Sequence, residues 1–228
     1  DNEVYLAGQV MPDLLAFCAK HLGTDATALK PLCTSLNDWD RHANLDSGLG
    51  FMHFQNLMAA LQEAPDVWRV AFDAKDPQNT PRGLALDRPE VANALREAML
   101  TSAQQVEASG LQADSRWGDI QVASNGGRQT PIHGGPGTLG VYNAIQSVPR
   151  SDGKREVVSG TSYLQIVTFD DQGPHAQGVL AFSLSSNPAS TYSKDQTQAF
   201  SEKKLRPLPF TDAQIKADPQ YQQQLIKE

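Results

Sequence analysis

Trp117-Gly118-Asp119-Ile120-Gln121-Val122-Ala123-Ser124-Asn125-Gly126-Gly127-Arg128-Gln129-Thr130-Pro131-Ile132 is the stretch where the chain changes its period. Before it, apolar residues recur at helical spacing. From Trp117 the period is 2, with Ile120 and Val122 alternating. Asn125-Gly126-Gly127 offers residues that accept positive φ, as a tight hairpin requires, and the chain returns from Arg128 to Ile132. Helices first and antiparallel strands afterwards predict an α+β architecture.

Working back toward the N-terminus, Val10, Leu14, Phe17 and Cys18 keep helical spacing, with Gly23 as a natural stop. Thr24 and Asp25 open a shorter helix that carries Leu29, Leu32 and Cys33. Neither cysteine lies in a CxxC pair, and zinc spacing is absent. Two buried thiols or one bridge between neighbouring helices both remain open on the residues alone. Phe51, Phe54, Leu57, Met58 and Leu61 form a further apolar stripe, read as core packing and closed by Pro65. The segment from Pro65 to Pro89 is a long ordered connection, with Trp68, Val70 and Phe72 alternating as one short strand. Asp87 and Glu90 have capping-box spacing, Pro89 suits a first helical turn, and Leu86 and Val91 suit a hydrophobic staple. Val91, Leu95, Met99 and Val106 then follow one face as far as Gly110.

Working forward, a glycine-rich loop runs from His133 to Gly140. Two strands follow, from about Val157 to Phe169 and from about Ala176 to Leu184. Asp170-Asp171-Gln172-Gly173-Pro174 is the turn between them. Tyr163, Val167 and Phe169 share one face while Leu164 and Ile166 share the other, which predicts a strand covered on both sides. Thr211 and Gln214 frame the last helix as a capping box, with Phe210 and Ile215 as its staple. The resulting division is a mainly helical segment, 1–110, and a segment of antiparallel strands with a C-terminal helix, 111–228.

The 228 residues carry 19 Lys and Arg against 26 Asp and Glu, a formal charge of −7. That balance is a poor partner for a phosphate backbone, so nucleic acid is not expected. The apolar stretches are shorter than the ~18–20 residues a membrane span needs. Asp1-Asn2-Glu3 opens without Met, basic n-region or apolar h-region, and reads as a processed chain or a fragment, with an ordinary mature N-terminus as the alternative.

Candidate chemistry is sparse. Gly135-Pro136-Gly137-Thr138-Leu139-Gly140 is a literal GxGxxG. A dinucleotide site needs it between a strand and a long helix, and none fits before Pro149. A tight loop with close backbone contacts is the better reading, and no cofactor is expected. Among His21, His42, His53, His133 and His175 no pair has metal-binding helical spacing. His133 stands alone in a glycine-rich loop, and a backbone hydrogen bond explains it more simply than catalysis does. Ser162, Ser185, Ser186 and Ser190 have no base nearby in sequence, and no nucleophile elbow occurs. Asp46, Asp66, Asp73 and Asp76 lack the order of a calcium loop and read as solvated turn carboxylates. Lys203, Lys204 and Arg206 read as a solvated connector before Pro207 and Pro209.

Several stretches together resemble one family. Thr130-Pro131-Ile132-His133-Gly134-Gly135-Pro136-Gly137-Thr138-Leu139-Gly140-Val141-Tyr142-Asn143 resembles the glycine-rich loop of the acyl-homoserine-lactone acylases, members of the penicillin acylase family. Gly160-Thr161-Ser162-Tyr163 resembles the start of their next strand. Ser185-Ser186-Asn187-Pro188-Ala189-Ser190 followed by Asp195-Gln196 is similar to their late signature. Pro207-Leu208-Pro209-Phe210-Thr211 resembles their closing segment. Trp68-Arg69-Val70-Ala71-Phe72-Asp73 and Thr80-Pro81-Arg82-Gly83-Leu84 add weaker likenesses. The likeness runs across nearly the whole length.

The resemblance implies a precursor exported to the periplasm or secreted, which cuts itself into a small and a large subunit. A Ser at the start of the large subunit attacks the substrate amide, with its own α-amino group as base. It implies that these residues are the later part of the large subunit, completing an αββα N-terminal-nucleophile sandwich. Asp1 has no hydroxyl or thiol, and the expected catalytic residues precede this segment, so no catalytic residue carries over to this chain. The implied reaction is hydrolysis of N-acyl-homoserine lactones, hence quorum quenching, with penicillin-type amides, hence antibiotic degradation, as a further range. The implied partners are the small subunit, the Ser-initiated part of the large subunit and a small acyl-amide substrate. An exported compartment also favours a Cys18–Cys33 bridge over free thiols. A secreted non-catalytic binding or scaffold module of the same fold is the alternative, and a serine hydrolase built on His133 is a third reading.

Overall fold

A computed structural model describes residues 2–62, 66–171, 173–219, 221–224 and 226. Asp1, Pro65 and Gln172, each used in the sequence reading, lie outside the described residues. The chain packs as two compact units, one of Asp1–Ser124 with Pro131–Gly160 and one of Asn125–Thr130 with Thr161–Glu228. The long helices end at Ala108 and the strands of the second half begin at Gln121, whereas these packing units interleave along the chain.

The first unit is built on helices. Helix α1 (Tyr5–Lys20) buries Ala7, Val10, Met11, Leu14 and Phe17, one stripe at helical spacing. A single 3-10 turn, Gly23–Asp25, leads into α2 (Ala26–Asp38), which buries Leu29, Leu32 and Leu36. Gly23 carries a φ of 54°, where a side chain would be strained. Cys18 and Cys33 are joined in a disulfide between the two helices, their Cα atoms 5.8 Å apart. Helix α3 (Leu49–Gln62) packs against α2 and buries the whole stripe Phe51, Phe54, Leu57, Met58 and Leu61. Trp39 and Trp117 close over it, Trp117 meeting Phe51 edge-on with ring centroids 4.7 Å apart.

An antiparallel ribbon of β1 (Trp68–Val70) and β2 (Arg82–Leu84) precedes α4 (Pro89–Ala108). The capping box expected of Asp87 and Glu90 does not form. A turn in which Arg88 N–H donates to Ala85 O makes Arg88 the N-cap, one residue later, without a side-chain cap. Pro89 then takes the first helical position, where its missing N–H costs nothing. Trp117–Ile120 departs from expectation too, forming one helical turn, α5, instead of strand. Arg116 N–H donates to the Asp119 carboxylate, and Trp117 and Gly118 donate to Ser47 and Leu45 carbonyls, which holds the turn closed.

Strand period therefore begins at β3 (Gln121–Asn125), and Gly126 and Gly127, with φ of 56° and 78°, turn the chain into β4 (Arg128–Pro131). Strands β5 (Ile145–Pro149) and β6 (Arg155–Gly160) are antiparallel, but β6 runs parallel to β3. The single strand expected over 157–169 is divided. Gly160, with φ of 153°, ends β6 where an added Cβ would lie 2.4 Å from Ala144 O.

The second unit holds the antiparallel sheet β7 (Tyr163–Asp170), β8 (Gly173–Leu180), α6 (Asp195–Ser201) packed on β8, and β9 (Arg206–Leu208), with strand order β7-β8-β9. Helix α7 (Asp212–Ala217) follows, and its capping box forms as read: Thr211 Oγ1 accepts from Gln214 N–H, and Gln214 Oε1 accepts from Thr211 N–H. The cover expected on both faces of β7 is not supplied. Tyr163, Val167 and Phe169 on one face and Ile166 on the other are all exposed, Phe169 by 78% and Ile166 by 55%.

Candidate functional site

The glycine-rich loop is held by a polar cluster in which Asn2, His133 and Asn143 are buried. The segment around Val4 bridges to Val141, and Glu3 bridges to His42, so Asn2 is carried beneath the loop. Asn2 Nδ2 donates to Asn44 Oδ1 at 2.9 Å and to His133 Nδ1 at 3.1 Å. Asn143 Nδ2 donates to the same nitrogen at 2.9 Å and to Asn2 Oδ1 at 3.1 Å. Nδ1 also lies 3.4 Å from Asn2 Oδ1, so this ring nitrogen is surrounded by asparagine amides. It is thus engaged in structure, and His133 is a loop anchor. Trp117 Nε1 and Gln121 Nε2 add donors to Gly134 O at 3.0 and 3.1 Å.

The GxGxxG stretch contains one 3-10 turn, Gly137–Leu139, with no long helix to meet a pyrophosphate. Its glycines answer to close approach instead. A Cβ on Gly135 would lie 2.5 Å from Phe51 Cζ, and one on Gly140 would lie 2.7 Å from Tyr5 Cβ.

Sequence reading missed a second buried pair. His53 on α3 and Ser102 on α4 are both almost fully buried, at 3% and 1% exposure, and His53 Nδ1 lies 2.9 Å from Ser102 Oγ. Asn56 Nδ2 donates to the same Oγ at 3.2 Å. A hydroxyl donates once and accepts twice, so this pairing forms with either tautomer of the neutral ring. Burial pulls the His53 pKa down to about 4, so the ring is neutral near pH 7. A hydroxyl beside an imidazole resembles a nucleophile with its base. This imidazole is too weak a base, though, and no carboxylate among the described residues orients it. The available signal was polarity at core positions: His53 sits inside the α3 stripe, and Ser102 falls on the α4 face that carries Leu95, Met99 and Val106.

His53 also forms part of the wall of a cavity of about 980 Å³ between α2, the start of α3 and the end of α4. Leu32, Trp39, Leu49, Val106 and Leu111 give it apolar walls.

Four other candidates, Ser185, Ser190, Asp73 and Asp76, are engaged in local structure. Ser185 Oγ accepts from Asn187 N–H and Ser190 Oγ from Tyr192 N–H, both as loop and turn caps. Asp73 accepts from Lys75 N–H and Asp76 from Asn79 Nδ2 within one surface loop. Among the described residues, no group of three His, Cys, Asp or Glu side chains converges as a metal site. Nor is any described helix long and apolar enough to cross a membrane.

Comparison with known proteins supplies what the geometry lacks. The sequence profile described as penicillin amidase matches residues 1–217. An acyl-homoserine lactone acylase PvdQ from Pseudomonas fluorescens is 66% identical over the whole chain, which spans 29% of that relative. PvdQ of Pseudomonas putida is 54% identical over the same span, again 29% of the relative. Aculeacin-A acylase of Actinoplanes utahensis is 32% identical over 96% of this chain and 27% of its own length. Among solved structures, a thermostable penicillin G acylase from Alcaligenes faecalis aligns with a TM-score of 0.47 at 14% identity, covering all of this chain and 47% of that one.

Proposed function

The chain belongs to the penicillin amidase family, and from that premise we propose that it forms the later part of the large subunit of an N-acyl-homoserine lactone amidohydrolase. The observation that carries the reading is 66% identity, without interruption of coverage, to an acyl-homoserine lactone acylase. Such identity over a whole chain weighs against a separate binding or scaffold module. Activity needs more polypeptide than this, because the chain spans less than a third of its curated relatives.

The proposed reaction is attack of a Ser hydroxyl, located elsewhere in the parent protein, on the substrate amide. Its free α-amino group takes the proton, and an acyl-enzyme forms as homoserine lactone leaves. Water then releases the fatty acid. This chain contributes scaffold: its strands complete an αββα sandwich. The apolar residues exposed on both faces of β7 support this role, since such a strand needs cover from further segments. Penicillin-type amides are proposed as a wider substrate range. Self-cleavage of a precursor would supply the partners, namely a small subunit and the Ser-initiated part of the large one. The Cys18–Cys33 bridge supports a periplasmic or secreted location, where disulfides persist.

Denaturing mass spectrometry of the native particle, with N-terminal sequencing of every polypeptide, tests the proposal. A companion polypeptide beginning with Ser is expected. A lone species of 24.8 kDa would overturn it.

A further inference from the structure

The sheet of the second unit has two unlike edges. Ala181 N–H donates to Ser162 O at 3.0 Å, and the pairing from Tyr163–Leu180 to Asp170–Gly173 keeps that register. Bonded and non-bonded pairs alternate along an antiparallel ladder, so Leu164, Ile166 and Thr168 exchange hydrogen bonds with Val179, Gln177 and His175. Gln177 therefore faces β7, and Pro207, which lies opposite Gln177 in β9, faces away from β8. Pro207 has no N–H to offer there. A strand of three residues without an outward donor is a closed edge.

The β7 edge is open. By the same alternation Gln165, Val167 and Phe169 turn their N–H and C=O groups away from β8. These groups have no hydrogen-bond partner among the described residues. From Tyr163 to Phe169 the strand has no Pro, no charged residue and no break in register, so none of the usual edge protections is present. The sheet can therefore grow from one side alone.

We propose that the β7 edge takes up a further strand, hydrogen-bonded to the backbone of Gln165, Val167 and Phe169, from the parent polypeptide outside these 228 residues. The proposal rests on the acylase reading and says how the missing polypeptide joins this sheet. The chain spans 29% of a relative 66% identical to it, so ample polypeptide lies outside. The chemistry of the incoming strand follows from its neighbours. Val167 and Phe169 would flank it on one face and Ile166 on the other, all exposed here. The added strand is thus an apolar run on both faces, without the polar alternation of a solvent-facing strand.

Amide hydrogen exchange of the complete processed protein, resolved to single residues, provides the test. The amides of Gln165, Val167 and Phe169 should be protected to within about tenfold of those of Ile166 and Thr168, which donate to β8. Val167→Pro removes an outward donor and no bond to β8, and Val167→Ala trims the side chain while keeping the donor. The proline variant should lose about a hundredfold of protection at Gln165 and Phe169, and the alanine variant should keep it. Free exchange at the three edge amides in the wild-type protein overturns the proposal. Equal loss in both variants overturns it too, because side-chain cover alone would then explain the protection. Dimers that Val167→Pro dissolves would make the occupant a second copy, and would also overturn it. Free edge exchange with a companion polypeptide present rejects this proposal alone, whereas absence of any companion rejects the acylase reading itself.

Discussion

His53 couples the fold to pH. Its imidazole titrates near 6.5 when exposed and near 4 when buried against Ser102. Between those values the unfolded chain holds a proton that the folded chain refuses, so acid favours unfolding. The stability tied to neutral His53 is complete above pH 6.5 and is lost as pH falls toward 4, a term of ~3 kcal/mol. Chemical denaturation across that range should show the slope, and His53→Gln should flatten it. A slope unchanged by the substitution would assign it to other groups. Gly134 presents a constraint of shape. It sits at a φ of 97°, and an added Cβ would come 2.5 Å from Asn143 O. Gly134→Ala should therefore cost about 3 kcal/mol, read as a lowered denaturation midpoint, through backbone strain and overpacking together. Its place in a glycine-rich loop was legible in sequence, but the partner that forbids a side chain was not. Asn143 stands nine residues away and is brought beside it by the Gly135–Ala144 bridge and by the buried cluster with Asn2 and His133.

The long helices were the most legible elements, because α1, α2, α3 and α4 each bury one stripe that its spacing announces. The α3 stripe and the Thr211–Gln214 box formed as read. Errors came where a backbone bond of local origin overrode side-chain spacing, as when the Ala85–Arg88 turn displaced the α4 cap. Strand pairing was less legible. The parallel contact of β3 with β6 joins residues more than thirty positions apart, which no local pattern specifies. At this scale the Cys18–Cys33 link closes a loop of 15 residues, worth about 3 kcal/mol in the chain-entropy account. Cys18→Ala with Cys33→Ala should lower stability by that order, with denaturant titration as the measurement. The sheet β7-β8-β9 permits a second test. Ile166→Lys places a charge on an apolar, exposed position. In the isolated chain it should reduce self-association seen by sedimentation, while in the whole protein it should weaken subunit association at least tenfold. An effect confined to the isolated chain would mean that this face stays open to solvent in the assembly.

For the molecule as a whole, family membership was legible because resemblance is spread over many stretches, from Trp68 to Thr211. A catalytic centre was not legible, and the geometry explains why: His133 is spent on asparagine amides, and His53 is too weak a base. The chain's exposed apolar sheet and its span of 29% of its relatives point to work done in combination with further polypeptide. The most direct measurement of that claim is release of fatty acid from an N-acyl-homoserine lactone, followed side by side for the complete processed protein and for this chain alone. The account expects turnover by the complete protein and none by the isolated chain. Turnover by the 228 residues on their own, or a complete protein with no acylase activity, would contradict it.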